Sequence, residues 1–142
     1  MPYSTIINLR AYMPAEIIRQ LTDDNNVGTI ITETVDDAIN QADNLIDAYM
    51  RSRYPADMLD ADVPEFISDI STKLTAYNLY RRKLQTTLPE AILNDYKTSI
   101  SLLKDIQSGK ITPFSAASEP AVVVSNCTST TKEYSKTTWA TY

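Results

Sequence analysis

Only two glycines, Gly28 and Gly109, interrupt this 142-residue chain, and they stand 81 residues apart. Each reads as a boundary. Gly28 closes the run Asp23-Asp24-Asn25-Asn26-Val27-Gly28, where Asp, Asn and Gly tolerate positive φ and bond the local backbone, so a turn is expected. Gly109 follows a helical apolar stripe, at the position where a left-handed residue ends a helix. A phosphate-cradling loop needs several glycines close together, so Walker and Rossmann fingerprints are absent.

Prolines supply the helix starts. Pro14 precedes Ala15 to Leu21, with Glu16 in the first turn, and predicts a short helix. From Thr34, apolar positions recur at Val35, Ile39, Ala42, Ile46, Tyr49 and the stem of Arg53, a stripe along one helix face. Thr34 is the expected N-cap and Pro55 the expected stop, with Asp36 and Asp37 near the start and Arg51 and Arg53 near the end. Pro64 opens a third helix with stripe Ile67, Ile70, Leu74, Tyr77 and Leu84, ending in basic Arg81-Arg82-Lys83. Pro89 and Glu90 open a fourth, with stripe Ile92, Leu93, Tyr96, Ile100, Leu103 and Ile106. Strand signals are nearly absent before residue 110. The expected fold is all-α: a small bundle of three long and one or two short helices over residues 1–109, followed by an extended C-terminal arm over 110–142.

The two parts differ in chemistry. Residues 1–109 carry 10 Lys/Arg against 16 Asp/Glu, a net of −6, whereas residues 110–142 carry three lysines against Glu119 and Glu133, a net of +1. Ser or Thr fills 12 of the last 33 positions, a composition that by itself implies disorder. Four aromatics, Phe114, Tyr134, Trp139 and Tyr142, nevertheless fall there, and Ala121-Val122-Val123-Val124 is a good β sequence. Phe114, Val122, Val123, Val124, Tyr134, Trp139 and Tyr142 are therefore the expected interface residues of an arm that orders against a partner.

Catalytic and cofactor chemistry find little support. The chain has no histidine, hence no imidazole base, no His-type metal site and no Ser-His-Asp or Cys-His arrangement. Asp23 to Gly28 resembles the start of a calcium loop, but Val27 and Thr34 occupy its fifth and twelfth positions where ligands belong, so an Asx-rich turn is expected. Asp57, Asp60 and Asp62 read as a solvated connector. Asp43 and Asp47, one helical turn apart, lie off the apolar stripe, and like charges at that spacing usually mark an exposed face. The expectation is a non-enzymatic protein with no catalytic residue, cofactor or metal. Arg51, Arg53, Arg81, Arg82 and Lys83 are candidate electrostatic contacts, although cations at helix C-termini also complement the helix dipole. Cys127 reads as a bystander thiol, and a single cysteine fits a reducing cytoplasm or particles assembled there. The start shows no secretory signal, and no apolar run approaches a membrane span, so no membrane partner is expected. Tyr49, Tyr77 and Tyr96 fall on the stripes and are expected in the core.

The block Ala42-Asp43-Asn44-Leu45-Ile46-Asp47-Ala48-Tyr49-Met50-Arg51-Ser52-Arg53-Tyr54-Pro55 resembles the core sequence pattern of a small virion-protein family of Mu-like bacteriophages and prophages. The resemblance continues through Val63-Pro64, Leu74 to Arg82 and Tyr96 to Gly109, and includes Leu21-Thr22-Asp23, so it spans residues 3–109. It departs at Pro55, which follows Tyr54 directly. That family is similar in helical pattern to the head–tail connector, or adaptor, proteins of tailed phages. The resemblance implies a structural protein of the virion's head–tail interface, assembled in the host cytoplasm. Its implied partners are copies of itself in a ring, commonly twelve-fold, the portal protein, and a tail or tail-completion protein, with DNA only as passing cargo. From charge alone, the alternative is an acidic helical module that sequesters a basic protein partner.

Overall fold

The computed structural model describes residues 2–55 and 62–114. Among these residues there are five helices and no strand: α1 (Ile6–Tyr12), α2 (Ala15–Thr22), α3 (Thr32–Met50), α4 (Glu65–Arg82) and α5 (Glu90–Ser108). The all-helical prediction holds, with three long and two short helices.

The helix starts follow the prolines. Pro14, Pro64 and Pro89 are the N-cap residues of α2, α4 and α5, and an acid stands in each first turn: Glu16, Glu65 and Glu90. Proline loses nothing there, because its missing N–H has no helical partner anyway. α1 lacks this signal and was not predicted from the sequence; its start is held by the Asn8 side chain, which accepts the Thr5 N–H at 3.1 Å. Gly109 closes α5 in the left-handed region at φ 80°, and the Lys110 N–H returns to the Asp105 carbonyl at 2.9 Å. The Arg53 guanidinium lies against Gly109 where any Cβ would collide with it.

α4 is the central helix and touches all four others. The first core cluster joins Leu9, Ile18 and Leu21 of α1 and α2 to Val35 and Ile39 of α3, Leu79 of α4 and Ile92 of α5. The second joins Ile46 and Met50 of α3 to Ile67, Ile70 and Leu74 of α4 and Leu103 and Ile106 of α5. Early α3 therefore meets late α4, and late α3 meets early α4, so the two run antiparallel; α5 reverses again. Between the clusters, Tyr77 stacks on Tyr96 with ring centroids 3.9 Å apart and planes 17° from parallel.

Three boundary predictions are corrected. α3 begins at Thr32, after an Ile31 N-cap whose N–H reaches the Thr22 hydroxyl at 3.3 Å, so Thr34 lies within the first turn. It ends at Met50, before Pro55, because the Arg53 N–H closes a tighter turn onto the Met50 carbonyl at 2.9 Å. Met50 takes the core place expected for the Arg53 stem, which is exposed. α4 stops at Arg82, so Leu84 lies beyond the helix and is 95% exposed, off the stripe it was assigned to.

α4 also buries polar side chains that a single apolar stripe does not predict. Ser71, Thr72 and Thr75 are buried with Ile67, Ile70, Leu74, Ala76 and Leu79 because the helix is covered on several sides. Thr72 and Thr75 satisfy their hydroxyls on the carbonyls four residues back, Ser68 and Ser71, both at 2.8 Å.

Candidate functional site

The polar side chains with the most marked environments join separate helices. Asp43 is half-buried on α3. Its carboxylate accepts the Ser71 hydroxyl of α4 at 2.7 Å and the Tyr3 N–H at 3.0 Å. Ser4 and Ser71 share a hydroxyl contact at 2.8 Å, and the Tyr3 hydroxyl donates to Asp47. The two carboxylates thus clamp the buried N-terminal segment onto α3 and α4, where an exposed face was expected from their spacing. Burial pushes the Asp43 carboxyl above its usual range, with the Ser71 and Tyr3 hydrogen bonds pulling the other way. Tyr12 of α1 repeats the device by donating to Asp95 of α5; burial first, then that bond, raises its pKa. Sequence reading missed Tyr3, Tyr12 and Asp95 because such long-range polar pairs leave no periodic signal.

The turn after α2 forms as expected. Asp23 accepts the Gly28 N–H at 2.7 Å and the Val27 N–H at 2.9 Å, and these bonds hold its carboxyl below the ordinary range. Asn26 and Gly28 carry the positive φ values, 54° and 84°. Its acceptors are occupied by backbone, as an Asx-rich turn requires.

The basic candidates separate into distinct roles. Arg82 donates to the Leu21 carbonyl at 3.2 Å and pairs with Asp24, whose carboxyl it holds low. Lys83 donates to the Gln20 carbonyl and to the Asp23 carbonyl at 3.2 Å. These cations complement a helix C-terminus, but it is that of α2 rather than their own helix. Arg51 pairs with Asp47 at 3.3 Å, and Arg53 covers Gly109. Arg81 is exposed and lines a groove of about 450 Å3 between α3 and α4, with no ion pair among the described residues.

Of the expected interface residues, Phe114 is described, and its ring packs against Tyr54 at 5.2 Å between centroids. With Ile111 it extends the second core cluster past Gly109. Val122, Val123, Val124, Tyr134, Trp139 and Tyr142 lie outside the described residues, as do Asp57, Asp60 and Cys127. Among the described residues, no three acidic or thiol side chains converge on a point where a cation would sit, and no helix is long and apolar enough to cross a membrane.

A family model described as "Bacteriophage Mu, Gp36" matches residues 3–129, which is most of the chain, and the chain belongs to that family. The match reaches beyond Gly109, so the first part of the arm follows the family pattern too. No curated protein matches the sequence.

Proposed function

We propose that this member of a Mu-like phage family is a structural protein of the virion, a head–tail connector that docks as a ring between portal and tail and has no enzymatic activity. The observation that carries the reading is the use of its charged side chains. Asp43, Asp47 and Asp95 fasten the N-terminal segment and α1, while Arg82 and Lys83 fasten α2, so the groups most suited to chemistry hold helices together. Such a body is a rigid adaptor, with the arm of residues 110–142 to reach its neighbours.

In this reading the partners are copies of the same chain, commonly twelve, the portal protein and a tail or tail-completion protein; DNA passes through without specific contact. Trp139, Tyr142, Tyr134 and Val122 to Val124 supply aromatic and aliphatic anchors to those partners. Strand addition by Ala121 to Val124 requires an open sheet edge. That edge is supplied by a neighbouring copy or by the portal.

The test is sedimentation of the purified chain with assembled portal rings and, separately, with tail proteins. Co-sedimentation with portal, lost in a Trp139→Ala/Tyr142→Ala variant, is the expected result. Absence of binding to portal and tail proteins alike overturns the reading. If the chain instead captures a basic protein in a complex that weakens steeply with salt, it is an acidic binding module.

A further inference from the structure

We propose that the exposed face of α5 carrying Lys97 and Lys104 docks on the start of α3, at Asp36 and Asp37, in a second copy of this chain. This rests on the connector reading and names the faces through which its copies meet.

Both helices carry charges that the chain itself leaves unused. α3 has one acid in its first turn, Glu33, and α5 has no base in its last turn. Asp36 and Asp37 therefore lie past the turn where an acid complements the helix dipole, and Lys97 and Lys104 lie before the turn where a base does. All four are exposed, and none of their side chains forms a hydrogen bond or ion pair among the described residues. Glu33 stands three and four positions before Asp36 and Asp37, spacings at which like charges repel. Arg81 lines the groove beside Asp37, yet the two form no ion pair. A cation from outside the chain would relieve this acid cluster.

The outer face of α5 has the opposite sign. Every exposed position from Ala91 to Ser108 is either uncharged or a lysine. The acids of that stretch, Asp95 and Asp105, are half-buried and occupied, by the Tyr12 hydroxyl and by Lys110. A chain with 18 acids thus presents a helix face without one. Lys97 and Lys104 stand seven residues apart on one side of the helix, about 10 Å, with the small Ser101 between them. An α3 that crosses at Ser101 sets its acid cluster, about 6 Å long from Glu33 to Asp37, between the two ammonium groups.

These faces do not meet within one chain. α3 buries Val35, Ile39 and Ile46, and α5 buries Ile92, Leu103 and Ile106, in clusters the two helices share, so their solvent sides point away from each other. A second copy supplies the match. Because the two surfaces differ, the contact is head-to-tail and leaves one face free at each end for the next copy, the arrangement that closes into a ring. Duplex DNA is the other polyanion that suits two lysines, but a net charge of −5 disfavours it.

The experiment uses the full chain without portal or tail proteins, so its failure leaves the connector reading standing. Self-association is measured by sedimentation equilibrium at low salt, and it should weaken as salt rises. Asp36→Lys/Asp37→Lys and Lys97→Glu/Lys104→Glu should each weaken it about tenfold or more. Mixing these two variants should restore association to within about threefold of the parent, because every α3 face then meets an α5 face of opposite charge. A chain carrying all four substitutions should recover likewise, which separates a lost contact from a lost fold. The proposal is overturned if the parent is monomeric at about 1 mM, or if neither the mixture nor the fourfold variant recovers. It is also overturned if Lys97→Glu/Lys104→Glu abolishes binding to a short DNA duplex while self-association is unchanged, which assigns the lysines to phosphate.

Discussion

Asp43 shows how one side chain serves three pieces of structure at a cost. Burial disfavours its charge, yet that charge is what the Ser71 hydroxyl and the Tyr3 N–H bind. Asp23 and Asp24 are opposite in sign: hydrogen bonds from Gly28 and Val27, and from Arg82, hold their carboxyls below the ordinary range. The linkage therefore has two directions. For Asp23 and Asp24, stability is present above about pH 3.9, the unfolded value, and is lost as pH falls through their lower folded values. For Asp43, whose folded value is raised, the folded state takes up a proton first, so acidification through that value adds stability. An Asp43→Asn variant lacks the opposing contribution, and its stability should fall more steeply than the parent's between pH 6 and about pH 3. Urea unfolding across that range checks this, and parallel curves would contradict it. None of this was legible in the sequence. An acid pair one turn apart looks like a solvated face, and the partners that bury it stand 28 and 40 positions away.

At the scale of elements, what the sequence showed and what it hid have separate physical causes. Pro14, Pro64, Pro89 and Gly109 act locally, through fixed φ, a missing donor or freedom at positive φ, so four boundaries could be read directly. The start and end of α3 depend on tertiary bonds, Ile31 to Thr22 and the turn onto Met50, and were misplaced. α4 hid its central position because Ser71, Thr72 and Thr75 occupy buried sites that a hydrophobicity pattern scores as surface. Two of these hydroxyls make opposite predictions. Thr75 bonds only its own helix, at the Ser71 carbonyl, so Thr75→Val should change stability by less than about 1 kcal/mol. Ser71 bridges Asp43 and Ser4, so Ser71→Ala leaves a half-buried carboxylate short of a donor and should cost about 1–3 kcal/mol. Equal effects in denaturant titrations would show that the bridge is not a fastening.

For the whole molecule, packing against the second cluster continues past Gly109, where Ile111 and Phe114 lie against it. The candidate surfaces divide accordingly. Phe114 and most of the basic residues make contacts within the chain, while Arg81 and the α3–α4 groove are open. Sequence reading named Arg81 as one of three cations in a row, but only the fold separates it from Arg82 and Lys83, because the C-terminus of α2 captures the latter two. The composition that excluded imidazole chemistry and phosphate loops belongs to a helical body fastened by carboxylates and hydroxyls. Its connector role is tested most directly by electron cryo-microscopy of the chain bound to its portal. A closed ring with cyclic symmetry on the tail-facing side of the portal is the expected result; a portal that emerges bare while the chain remains free would contradict it.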